Sequence, residues 1–333
     1  MSHFVAPMPP KPWRGTDNLR CYLFEATLPN MPTSSTVPWT PEGHKTHLNV
    51  LKVRHERYRR FYGIQSLDPI EFDDLVAEWM DQYIPSQPLR AADRDEKTGA
   101  RLTIPAPEFS IEWPEKRKPT SISSIHTWID ELPLETAQRA AQLAFPSLRQ
   151  HEFVPNGEAD PADHEIFNYF LWSDPLAESP FGNVVVVYQP PWILSLHDLK
   201  CFCNKQTFPS FPTGHGSKPL DSSERLWGKI WDLCVRKGTP WFVVSTYMGW
   251  VFGAFSAGWT KAWVSPIKEF DAYDPSVIQC LVYWLAAAGG LKGCWEIPKV
   301  CSEPKYTPTE FSCTVYDVFR YKPAAVLALA RLS

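Results

Sequence analysis

Four consecutive valines, Val184, Val185, Val186 and Val187, run into Tyr188 between Asn183 on one side and Gln189-Pro190-Pro191 on the other. A β-branched side chain is stiff about its first torsion and suits the pleated surface of a strand. The run has no polar alternation and so offers no face to water, which predicts a central strand over 183–188 buried on both sides. Such a strand needs covering layers, and the fold class predicted is α/β, a mixed central sheet flanked by helices.

The segments around this strand have their own periodicities. Residues 166–172 read as a second strand, 195–203 and 222–236 as helices, the latter with Leu226, Trp227, Ile230 and Leu233 on its apolar face. Residues 241–247, 250–255 and 259–264 read as a three-stranded meander punctuated at Gly249 and Gly258. Asp274-Pro275 precedes a strongly apolar helix over 276–288. Upstream, 133–143 predicts a helix with Glu135 in its first turn, where a negative side chain suits the helix dipole.

The first third differs. Asp68 before Pro69 fits an N-cap followed by a first-turn proline, opening a helix over 69–83 with Leu75, Val76, Trp79, Met80 and Tyr83 at three- and four-residue spacing. Residues 46–63 suggest another helix with an imperfect stripe, stopped at Gly63. Prolines and charges then dominate 85–119, around one short strand near 109–113. With 333 residues the chain exceeds one small core. The organisation predicted is a helical N-terminal region over 1–84, a proline-rich linker over 85–119 and an α/β domain over 120–333.

Charge bounds the partners. The net charge of −4 supplies no global basic field for nucleic acid or anionic lipid. The densest cationic cluster, Arg54, Arg57, Arg59 and Arg60 with Lys52 and His55, is interleaved with Tyr58 and Phe61 as in a nucleic-acid contact, although a solvated helix face explains it as well. The opening residues lack a basic stretch followed by an apolar run, and 277–291, the longest apolar stretch, is too short to span a bilayer. A cytoplasmic or nuclear location without membrane contact is expected, with the eight cysteines as reduced thiols.

Two local patterns carry a resemblance. The first is Val184-Val185-Val186-Val187-Tyr188-Gln189-Pro190-Pro191-Trp192; the second is Trp241-Phe242-Val243-Val244-Ser245-Thr246-Tyr247 running into Trp250-Val251-Phe252. Together with the order of elements over roughly 130–290, they resemble the PD-(D/E)XK nuclease core, in the derived form carried by fungal proteins that have lost the catalytic motif. In that family the first pattern is the strand bearing a catalytic Glu-x-Lys. Carboxylates hold Mg²⁺ there, and a lysine positions or activates the attacking water. Here Tyr188 stands in place of the glutamate and Pro190 in place of the lysine. Candidates to replace them are Glu135, Asp174, Gln189 and Lys200, with Asp160 and Asp163 as further sources of an aspartate.

Other constellations carry weaker signals. His197, Cys201, Cys203 and His215 form an H-x3-C-x-C-x11-H series, but C-x-C on a helix sends its thiols to different faces, so no structural zinc site is assigned. Asp73, Asp74, Glu78 and Asp81 line one helix like the aspartate-rich helix of diphosphate-binding cyclases, without the second motif those enzymes need. Gly214-His215-Gly216-Ser217-Lys218 lacks the strand and ending of a phosphate loop. No metal and no cofactor are called for.

The 15 Trp, 19 Phe and 12 Tyr offer planar surfaces that stack on ligands or fill cores, and Tyr188, Trp192 and Trp250 are the candidate ligand-binding rings. The function expected is a non-catalytic binding or scaffold role, with a small-molecule ligand, a protein or, through the basic cluster, a nucleic acid as partner. The alternatives are a secondary-metabolism enzyme acting on a small apolar or aromatic substrate, and a residual metal-dependent nuclease.

Overall fold

The computed structural model describes residues 19–32, 59–86, 119, 122–155, 168–209 and 220–303. Eight strands build one mixed sheet: β1 (Gly63–Ser66), β2 (Glu152–Pro155), β3 (Asn168–Ser173), β4 (Val184–Tyr188), β5 (Trp241–Ser245), β6 (Gly249–Phe255), β7 (Lys261–Val264) and β8 (Lys268–Glu269). Their order is β1-β7-β6-β5-β4-β3-β2, with β8 also pairing with β6. β4 runs parallel to β5 and β1 parallel to β7, while the other neighbours are antiparallel. The valine run lies in the interior of the sheet, and all four valines are fully buried.

Alternation along β4 divides the core. Val184, Val186 and Tyr188 join one apolar cluster; Val185 and Val187 join another. The first face is covered by α1 (Leu19–Glu25), α2 (Pro69–Tyr83), α3 (Ile122–Ile129), α4 (Glu135–Ala144) and α7 (Val277–Ala288). The second is covered by α5 (Leu196–Cys203) and α6 (Ser222–Lys237). Every residue of α7 is buried, which explains a helix apolar all round: its neighbours include α1, α2 and α4 as well as the sheet.

Helix ends are set by local chemistry. Asp68 accepts from the amides of Ile70 and Glu71, and Ser195/Asp198, Asp221/Glu224 and Ser276/Gln279 form reciprocal capping boxes on α5, α6 and α7. Gly238 ends α6 at φ +67°, a left-handed conformation that suits a residue without Cβ. No helix among the described residues is long and apolar enough to cross a membrane.

Three features differ from the reading of the sequence. Of the helix expected over 46–63, residues 46–58 lie outside the described residues; Arg59–Tyr62 are irregular and Gly63 opens β1 rather than closing a helix. Phe61 and Ile64 bury against the α5/α6 face, and β1 fills the open edge of β7 with the pairing Gly63 to Lys261 through Ser66 to Val264. Three-residue apolar spacing fits a helix turn, and here strand pairing overrides it. The described part of 1–84 therefore shares both the sheet and the core with the rest of the chain: Leu23, Val76 and Trp79 belong to the same cluster as Val184. Finally, the helix expected over 133–143 begins at Glu135 and continues an earlier one, α3, through a π-helical turn at Asp130–Leu134. The strand expected near 109–113 lies outside the described residues.

Candidate functional site

Pro133 has no N–H to donate, so the carbonyl of Ile129 lacks its usual helical partner. The chain accommodates this by widening: the amide of Glu135 donates to the carbonyl of Asp130, five residues back. The break falls beside the end of β4. His126 and Asp130, four residues apart, share a helix face, with His126 Nε2 3.9 Å from Asp130 Oδ2. From the sheet, Tyr188 brings its Oη to 2.7 Å from His126 Nδ1. Phe170 on β3 supports both rings: its centroid is 4.7 Å from the imidazole, nearly parallel, and 5.6 Å from the phenol.

Burial sets the charge state of this group. It pushes the Tyr188 hydroxyl well above the ordinary tyrosine range, and the nearby charge of Asp130 adds to the effect. Burial lowers the His126 pKa, opposed by Asp130, and raises that of Asp130, opposed by His126. Near neutral pH the imidazole is therefore neutral and the phenol protonated, and the two share one hydrogen bond between the Tyr188 hydroxyl and His126 Nδ1. Glu135 is also raised by burial, with Arg139 lowering it and Asp130 raising it. The result is a buried phenol hydrogen-bonded to a half-buried imidazole, with a carboxylate within ion-pair distance of that ring.

Several candidates from the sequence are brought here and others are not. Tyr188 is central; Glu135 opens α4 after the π-helical turn and feels the charge of Asp130 without a hydrogen bond to the group. Asp174 is not part of it. Tyr188 pairs with Asn168, whereas Asp174 follows the far end of β3, about 20 Å along the strand; its carboxylate accepts from the amide of Leu176. Lys200 is exposed on α5, across the sheet from Tyr188. The Gln189 amide donates to the Ser245 carbonyl at 3.0 Å, while its side chain is buried. Trp192 is half-buried against the cluster containing Tyr188. Trp250 is a core ring, fully buried, with its indole N–H donated to the Tyr247 carbonyl.

Of the basic cluster only Arg59 and Arg60 lie among the described residues. Arg59 turns inward and clamps Asp232 on α6 with two hydrogen bonds of 2.6 Å, and Phe61 is core. Arg60 is exposed; Arg54 and Arg57 lie outside the described residues, as do Asp160, Asp163 and His215. On α2, Asp73 forms an ion pair with Lys268 of β8. Seven described cysteines are free thiols. Among the described residues no group of three or more His, Cys, Asp or Glu is arranged to hold a metal ion.

Reading the sequence missed His126, Asp130 and Phe170. The signal available was the four-residue spacing of His126 and Asp130 ahead of Pro133, too short to mark a helix by periodicity. No protein-family model, curated protein or solved structure matches the chain.

Proposed function

We propose that this protein is a non-catalytic binding protein built on a nuclease-like core, with its recognition site at the carboxyl end of β4. What supports the core assignment is the succession from α4 to α7 of strands ending at β4, two helices, the β5–β6 hairpin and a last helix, similar to the order behind the resemblance but with β2, β7 and β8 in addition. The observation that carries the reading is the state of Tyr188. The position where the resembled family keeps a metal-binding carboxylate holds a buried, protonated phenol already engaged with His126. A neutral phenol cannot neutralise Mg²⁺ or the developing charge on a phosphoryl group. Lys200 and Asp174, the candidates to restore that chemistry, sit on another face and at another strand end.

The test is incubation of the purified protein with single- and double-stranded DNA and RNA in Mg²⁺ or Mn²⁺. No cleavage is expected. Cleavage abolished by Glu135→Ala or Lys200→Ala would overturn the reading in favour of a residual nuclease.

A second reading is favoured by the pairing of Tyr188 and His126 beside Asp130, which has the composition of a general acid–base relay. It makes the protein an enzyme acting on a small apolar or aromatic substrate. Turnover of such a substrate that is lost in Tyr188→Phe and His126→Asn would put it first.

A further inference from the structure

We propose that residues 27–31 form a strap that lifts to admit a ligand to the recognition site at the carboxyl end of β4. The inference rests on the site assignment made above and adds how entry to that site is controlled.

The strap continues from α1, which is firmly held. Arg20 donates to the carbonyl of Ile84 and pairs with Asp81, and Ser276 Oγ donates to the carbonyl of Leu23. Beyond Ala26, whose amide donates to the Tyr22 carbonyl, the chain is irregular. Leu28 and Met31 are buried in the same apolar cluster as Tyr188, while Asn30 is exposed. Among the described residues, the one hydrogen bond that residues 27–31 make runs from Tyr247 Oη to the carbonyl of Pro29, at 2.7 Å. Two apolar anchors and one polar tether place the segment at the low end of local opening free energies.

The tether is held in an unusual conformation. Tyr247 follows β5 at φ +65°, a left-handed geometry uncommon for a residue with a Cβ. The turn keeps it there: the Tyr247 amide donates to Ser245 Oγ, and the Thr246 amide donates to the Gly249 carbonyl. In the parallel register of β4 and β5, Tyr188 lies opposite Ser245, two residues ahead of Tyr247. The Tyr247 ring meets Trp128 edge-on at 5.3 Å, and Trp128 follows His126 by two residues on α3. The strap is therefore tied to the side chains that flank the Tyr188–His126 pair. The indole N–H of Trp128 is buried there without an acceptor. An unpaired buried donor is costly, so a ligand that brings a hydrogen-bond acceptor to it stabilises the lifted form.

The test is oxidation of the folded full-length protein by dilute hydrogen peroxide, with each methionine sulfoxide located by mass spectrometry. Met31 on the strap is 1% exposed and Met80 on α2 is 2% exposed, so the static structure gives them no difference in access. Met31 should oxidise faster, by lifting of the strap, while Met80 waits for wider unfolding. Tyr247→Phe keeps the buried ring and removes the tether. It should speed Met31 oxidation by about tenfold, the worth of one buried hydrogen bond, and leave Met80 unchanged. In the same variant, acylation of His126 by diethylpyrocarbonate should also quicken. Equal rates for Met31 and Met80 in the unaltered protein would overturn the proposal, as would a gain in Tyr247→Phe shared by Met80. Faster Met31 oxidation with unchanged acylation of His126 would overturn it too, because the strap would then move without covering the site. Neither readout involves nucleic-acid cleavage, so failure of the strap is distinguished from failure of the site assignment.

Discussion

Tyr188 ends a fully buried strand with a hydroxyl, and that hydroxyl is tolerated because it shares a hydrogen bond with His126. The pair has a consequence for stability. The folded chain holds His126 below its ordinary value of 6.5, chiefly through burial. A histidine depressed in this way contributes stability that is complete above the unfolded pKa and is lost as pH falls toward the folded one. His151 has the same sign, whereas Asp130 and Glu135, raised by burial, have the opposite sign, at lower pH. Urea unfolding at about pH 7.5 and about pH 5.5 should therefore show a lower midpoint at the acid pH. His126→Asn should show a smaller acid loss than the unaltered protein. An equal loss in both would assign the slope to other groups.

At the scale of elements, β5 and β6 show how closely the sheet is packed. Gly253 on β6 pairs with Phe242 on β5, and a Cβ at position 253 would overlap the Phe242 ring. That ring cannot easily yield: it is fully buried, edge-on to Trp227 and in contact with Phe255. Glycine is needed here for space, not for backbone freedom. Gly253→Ala should cost about 1–3 kcal/mol through overpacking, measured as a fall in denaturant midpoint. An unchanged midpoint would mean that the aromatic layer between the sheet and α6 can repack. The π-helical turn is an element-scale feature of another kind, since Pro133 offsets the helix by one residue just where His126 and Asp130 face the sheet.

At the scale of the molecule, the described part of the first third is tied into the rest by the shared core and by specific polar and strand contacts. β1 pairs with β7, and Arg59, just ahead of β1, clamps Asp232 on α6. The Arg59 side chain is 3% exposed and that of Asp232 21%, so removing the arginine strands a largely buried carboxylate. Arg59→Ala should destabilise the protein by about 3 kcal/mol or more, and Arg59→Lys should restore only part, because lysine lacks the planar two-point grip. Denaturant unfolding checks both. A neutral Arg59→Ala would show that β1 is held by strand pairing and apolar contacts alone. The same contact commits Arg59 to the fold, whereas Arg60 beside it is exposed.

The valine run determined by itself that one strand would be buried on both faces, because four β-branched side chains cannot be hidden by one covering layer. Short-range capping chemistry likewise placed the starts of α2 and α5, since Asp68 and Ser195 bond to amides two or three residues away. Only the tertiary structure decided what those elements meet. Gly63 became the start of a strand because β7 offered an open edge 198 positions further along the chain. Asp174 and Lys200, plausible as replacements in the linear order, were separated by strand length and by the sheet itself. His126, with no motif to mark it, was carried to Tyr188 by a helix whose course depends on Pro133 and on the face it covers. Local hydrogen bonds and side-chain shape are written in neighbouring residues, whereas the convergence of a site depends on pairings between segments whose partners no local pattern names.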